Sequence, residues 1–183
     1  MEVEMKAENA RLNGLVAVTV AVLSVHMAVS NIKNSNLVQA MAFAKASSVD
    51  TWNEYQATRI KLHIDEDALA GIKLSSGSDA ARAAESDRLS GKLAKYTAES
   101  GQLMVKAQGE DARYEILMLH HDQFDMAEAL NSIAIALAAV AALTDLFWLL
   151  CVSWGFGACG VLMTLAGFAG SSIHPDFLAR LLG

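Results

Sequence analysis

Seven polar side chains stand where the chain is otherwise apolar: His26 in a first run, and His120, His121, Asp122, Asp125, Glu128 and Asn131 at the head of a second. Imidazoles beside carboxylates suit two chemistries. They bind divalent metals, and they relay protons because histidine titrates near neutrality. Ionisable groups within an apolar segment are costly unless paired or functional. The alternative is interfacial solvation, with His26 hydrogen-bonded to Glu128 or Asn131 across two helices. No His-x-x-x-His or Glu-x-x-His spacing fixes a ligand set on one helix face. No nucleophile paired with a base and no phosphate loop accompanies them. The sequence therefore predicts a non-enzymatic protein, with no catalytic residue, metal or cofactor assigned, and a His/carboxylate mouth as its candidate polar site.

These residues must be positioned by long apolar helices. Between Phe124 and Ala169 lie 46 residues with three acidic side chains, Asp125, Glu128 and Asp145, and no Lys, Arg or Pro. A bilayer core of about 30 Å takes about 20 apolar residues per crossing, so this run suits two spans back to back, broken at Thr144-Asp145. A third run, Leu12 to Val29, opens the chain; at 18 residues it is long for a signal peptide and lacks a clean basic start, so an uncleaved anchor is expected. Hydrophobic residues make up 54% of 183 positions while charged residues supply 19%, so the polar portion must be segregated. Most charges sit between Lys33 and Arg113. A net charge of −6 without a basic cluster disfavours nucleic acid as a partner.

A single proline, Pro175, leaves everything before it free to continue as helix. From Leu89 the positions Leu93, Tyr96, Ser100, Leu103, Ala107, Glu110, Tyr114, Leu117, His121 and Phe124 follow the 4,3 spacing of a coiled-coil seam. Upstream, Leu37, Met41, Ala44, Ser48, Trp52, Tyr55, Leu62 and Leu69 trace a second stripe, with a local unwinding expected near Ser48 to Trp52. A turn near 71–79 separates them, Gly77 serving the turn and Ser78 the N-cap. The predicted fold is all-α: three transmembrane helices, with a long extramembrane antiparallel helical hairpin, coiled-coil-like, between the first and second. Its parts are a tail at 1–11, spans at 12–32, 124–144 and 146–170, the hairpin at 33–123, and a short interfacial helix at 171–183 begun by Pro175. The hairpin's three glycines, Gly91, Gly101 and Gly109, either allow close helix approach or mark a tolerant arm.

Gly155-Phe156-Gly157-Ala158-Cys159-Gly160 spells GxGxxG, but inside an apolar run no strand or aqueous site supports a dinucleotide. Small residues there, with Gly167 and Gly170, predict close helix packing. Cys151 and Cys159 read as small packing residues, too far apart along a helix for a disulfide. Trp148 suits an interfacial anchor, and Trp154 is expected to pack on another helix.

The stretch Asn36 to Met41, with Ser48 to Ala57 and Ile60-Lys61, resembles the bacterial membrane proteins grouped as domain of unknown function 4337. Their motif, D-x-W-x-x-Y-Q-A-[KR]-x-I-[KR], falls on Asp50, Trp52, Tyr55, Gln56, Ala57, Ile60 and Lys61. The departures are Thr58, where a basic residue is usual, with Arg59 beside it, and Asp145, where many relatives carry basic residues. The resemblance implies a multi-pass protein of the bacterial inner membrane, with a cytoplasmic N-terminus and a periplasmic hairpin. Trp52, Tyr55 and Gln56 share one helical turn, where they either lock the arms or neighbouring subunits together or bind a substrate or peptide. The expected role is a scaffold or accessory subunit whose partners are the lipid bilayer and either copies of itself or a larger membrane complex. A small oligomeric channel or ion-handling protein is the alternative.

Overall fold

The computed structural model describes residues 10–74 and 78–171. Three helices account for nearly all of them: α1, Ala10–Leu74; α2, Asp79–Thr144; and α3, Phe147–Ala169. Each is long and apolar enough to cross a membrane, with windows of mean hydropathy 2.0, 1.8 and 1.8. Uninterrupted helices of 65 and 66 residues match what the lack of interior proline permits. Ser78 caps α2 as expected, its Oγ accepting from the Ala81 N–H at 3.4 Å and its carbonyl from Arg82 N–H at 3.1 Å. Gly77 and the 172–183 tail with Pro175 lie outside the described residues.

The chain divides into two compact units. The first takes residues 10–40 of α1, 116–144 of α2, and α3. Its interior is small: Ala134, Ala138, Ala141, Ser153, Gly157, Gly160 and Gly167 are buried, with Leu12, Val16, Leu23, Phe124 and Leu150 filling between them. Its exterior is large and apolar, including Val18, Val22, Val25, Ile32, Leu143, Leu162 and Phe168. This inversion fits a hydrocarbon surround, where helices associate by close packing rather than by expelling water. Asp145, with φ 55°, takes the left-handed turn between α2 and α3. Gly170, with φ 66°, ends α3 by returning its N–H to the Ala166 carbonyl.

The second unit, residues 41–115, is an antiparallel pair formed by the rest of α1 and α2. The α2 seam is the predicted one, with Leu89, Ser100 and Ala107 buried in it. The α1 seam differs. Ala44, Ser48, Thr51, Tyr55, Thr58 and Leu62 keep strict 4,3 spacing, with Thr51 buried where Trp52 was expected and no local unwinding. The difference follows size: Ala44, Ser48 and Thr51 are small enough to be buried against α2, and the larger indole lies half-buried at the flank.

Candidate functional site

The seven predicted polar residues do not converge; among those with partners described, three separate arrangements appear in the first unit. Deepest is Asn131, fully buried, whose Nδ2 donates to His26 Nδ1 at 3.1 Å. Its Oδ1 has no hydrogen-bond partner and stands against Gly160, where an added Cβ would come within 2.6 Å. Nearby on the same helices, the Ser30 and Thr164 hydroxyls share a hydrogen bond of 3.1 Å. The expected His26–Asn131 link is therefore present, and Glu128 is not its partner.

The second arrangement is centred on Asn34, which the sequence reading missed. Asn34 Nδ2 donates to Asp125 Oδ1 at 2.7 Å, and its Oδ1 accepts from His121 Nδ1 at the same distance. His121 Nε2 lies 3.3 Å from Asp125 Oδ2, closing a three-residue ring across α1 and α2. Glu128 sits one turn along, lining a recess with Asn31, Asn34 and Ser35. The third arrangement joins His120 to Gln123 at 3.4 Å, and Gln123 Nε2 to the Ser171 carbonyl at 2.8 Å. Gln123 thereby ties α2 to the end of α3. Among the described residues no group of three or more His, Cys, Asp and Glu side chains is placed to hold a metal ion.

The α3 glycines pack within the chain. Gly157 meets Leu23 and Ala134, Gly160 meets Asn131, and Gly167 meets Phe124, whose ring stands edge-on to Phe168 at 5.3 Å. Gly155 meets nothing within 4 Å. Three of the four predicted packing glycines thus bring α3 onto its own chain rather than offering it to a neighbour. Ser153 adds a bond to the Ala134 carbonyl at 2.7 Å. Trp154 packs as expected on another helix, its Nε1 donating to Thr19 Oγ1 at 2.9 Å. Cys151 and Cys159 are free thiols on the exposed face of α3, not in its packed one.

In the second unit the motif residues divide by direction. Trp52 Nε1 donates to Asp111 Oδ2 at 2.9 Å, and Ser48 Oγ donates to Asp111 Oδ1 at 2.5 Å. Those two bonds hold the Asp111 carboxyl below the ordinary aspartate range. Trp52 also stacks edge-on to Tyr55 at 5.5 Å, and Lys45 lies 5.2 Å from the Tyr114 ring centre. Trp52 therefore links the two arms, and Tyr55 packs against it from the same helix. Asp50, Gln56 and Ile60 face outward instead, while Lys61, also exposed, reaches across to 6.0 Å from the Tyr96 ring centre. Asp111 went unremarked in the sequence, although its neighbour Glu110 marked a polar break in the seam; Glu110 Oε2 is itself buried without a hydrogen-bond partner.

No curated protein and no solved structure matches the chain. A family model covers residues 12–170, which takes in all three helices, and the chain therefore belongs to the family described as Domain of unknown function (DUF4337).

Proposed function

We propose that this protein is a non-enzymatic scaffold or accessory subunit of the bacterial inner membrane. Its three apolar helical segments anchor a helical hairpin that associates with copies of itself or with a larger membrane complex. One observation carries the reading: large apolar side chains stand on the outside of an already sealed hairpin, Ile60 and Ile64 each 60% exposed. Exposed apolar surface of this kind marks sites of protein association. The polar residues of the first unit support the same view, since His26 bonds Asn131, and Asn34 bonds His121 and Asp125, within the chain. A channel mouth would instead direct such groups to an axis shared between subunits. The family resemblance supports a cytoplasmic N-terminus and a periplasmic hairpin.

Extraction of the full chain from its native membrane into lipid particles, followed by mass measurement, tests the reading. Multimers or a stoichiometric co-extracted protein support it, and a monodisperse monomer with nothing bound contradicts it.

A further inference from the structure

One carboxylate of the first unit stands without a counter-charge. Glu128 lies half-buried, about one turn into the apolar run that begins at Phe124. Among the described residues it has no hydrogen-bond or ion-pair partner, and Lys33 on α1 forms no ion pair with it. An ionisable group in an apolar segment is costly unless something pairs with it. Asp125, one turn earlier and exposed, adds a second negative charge, held by Asn34 Nδ2 at 2.7 Å. This corner of the unit therefore favours a cation.

Glu128 lines a recess of about 470 Å³ together with Asn31, Asn34, Ser35, Val38 and Gln39. That is the size of a small-molecule site and far more than a bare ion needs. The lining sets one anionic acceptor beside several hydrogen-bond donors, because the amides carry N–H groups and the serine an O–H. A metal ion has no use for those donors. A ligand with a cation at one end and an anion close by uses both kinds of group.

The recess stands where the apolar belt of this unit ends. Val22, Val25, Val29 and Ile32 are exposed along α1, and Lys33, Asn34, Ser35 and Asn36 follow at once. With these segments anchored in a bilayer, that border is the depth of the lipid headgroups.

We infer that the recess binds the headgroup of an aminophospholipid, its primary ammonium on Glu128 and its phosphate on the donors of Asn31, Asn34 and Ser35. A primary ammonium offers three N–H donors in a compact charge, whereas a trimethylated one offers none. The inference rests on the membrane placement proposed above and does not depend on how many copies assemble.

The test is native mass measurement of the full chain in nanodiscs of phosphatidylglycerol carrying equal minor shares of phosphatidylethanolamine and phosphatidylcholine. After collisional removal of the bulk lipid, each wild-type chain retains a phosphatidylethanolamine in preference to phosphatidylcholine. Glu128→Gln, which keeps the shape and removes the charge, lowers that retention about tenfold, and Glu128→Asp recovers part of it. Asp145→Asn, in the exposed turn between α2 and α3, leaves it unchanged. Circular dichroism reads equal helix content in all variants. Free phosphoethanolamine at equal concentration does not displace the lipid; displacement would assign the recess to a soluble amine and overturn the lipid. Equal retention of the two minor lipids by the wild-type chain, or unchanged retention in Glu128→Gln, overturns the inference. The same spectra count the chains in each particle, so multimers that hold no phosphatidylethanolamine overturn the headgroup site and leave the scaffold reading intact. A chain that stays outside the nanodisc overturns the membrane placement on which both rest.

Discussion

Trp52 and Asp111 face each other across the hairpin, the indole N–H 2.9 Å from one carboxylate oxygen while Ser48 occupies the other. A charged acceptor held by two donors is lost only when it is protonated, so the pair links hairpin stability to pH. The folded-state pKa of Asp111 lies below the ordinary aspartate value. Its contribution is therefore complete above that ordinary value, about 4, and disappears as pH falls through the lower folded value. Asp111→Asn is expected to lower the melting temperature at neutral pH and to flatten its fall as the pH drops below about 4, followed by circular dichroism of the full chain. Trp52→Phe should give a smaller loss in the same direction.

Gly160 and Asn131 form a steric pair inside the first unit, because a Cβ at 160 would lie 2.6 Å from Asn131 Oδ1. Gly160→Ala is expected to destabilise the three-helix packing by about 1–3 kcal/mol, the usual cost of overfilling a packed interior. Asn131→Ala opens the space that the new methyl needs. The double variant should therefore recover part of the loss, a coupling that a double-mutant cycle in mild detergent will read.

Gly91 carries no such restraint, having nothing within 4 Å of an added Cβ. Gly91→Ala is expected to stabilise the hairpin by up to about 1 kcal/mol through helix propensity. Hydrogen exchange around residues 85–98 of the full chain would register the gain as slower amide exchange.

The hairpin register yields a sharp contrast between neighbouring side chains. Thr51 is 3% exposed and faces the opposing helix, whereas Gln56 is exposed. Thr51→Arg places a charge in the seam and should disrupt the hairpin by several kcal/mol, while Gln56→Arg should change stability by less than about 0.5 kcal/mol. Thermal unfolding of the two variants side by side checks the assignment.

Much of this architecture is legible in the residues. The absence of interior proline and the 4,3 spacing from Leu89 to Phe124 are sufficient to predict two very long helices and the α2 seam. The α1 seam is less legible because Thr51 and Trp52 adjoin, and reading by bulk favours the indole. The structure reverses that preference, burying the small Ala44, Ser48 and Thr51 and leaving Trp52 at the flank, where its N–H finds Asp111. Which polar side chains bond one another was only partly legible. Spacing brings His26, His121 and Asp125 to one region; only the rotation of each helix separates His26–Asn131 from His121–Asn34–Asp125. Asn34 carried no signal of its own, since a lone amide in a helix is ordinary until its partners are seen.

The scaffold account is tested most directly by the mass of the particle obtained when the full chain is extracted from its native membrane with lipid. A mass corresponding to several copies, or to the chain with a stoichiometric partner, is the predicted result; a single chain carrying only lipid, at every extraction condition tried, would contradict it.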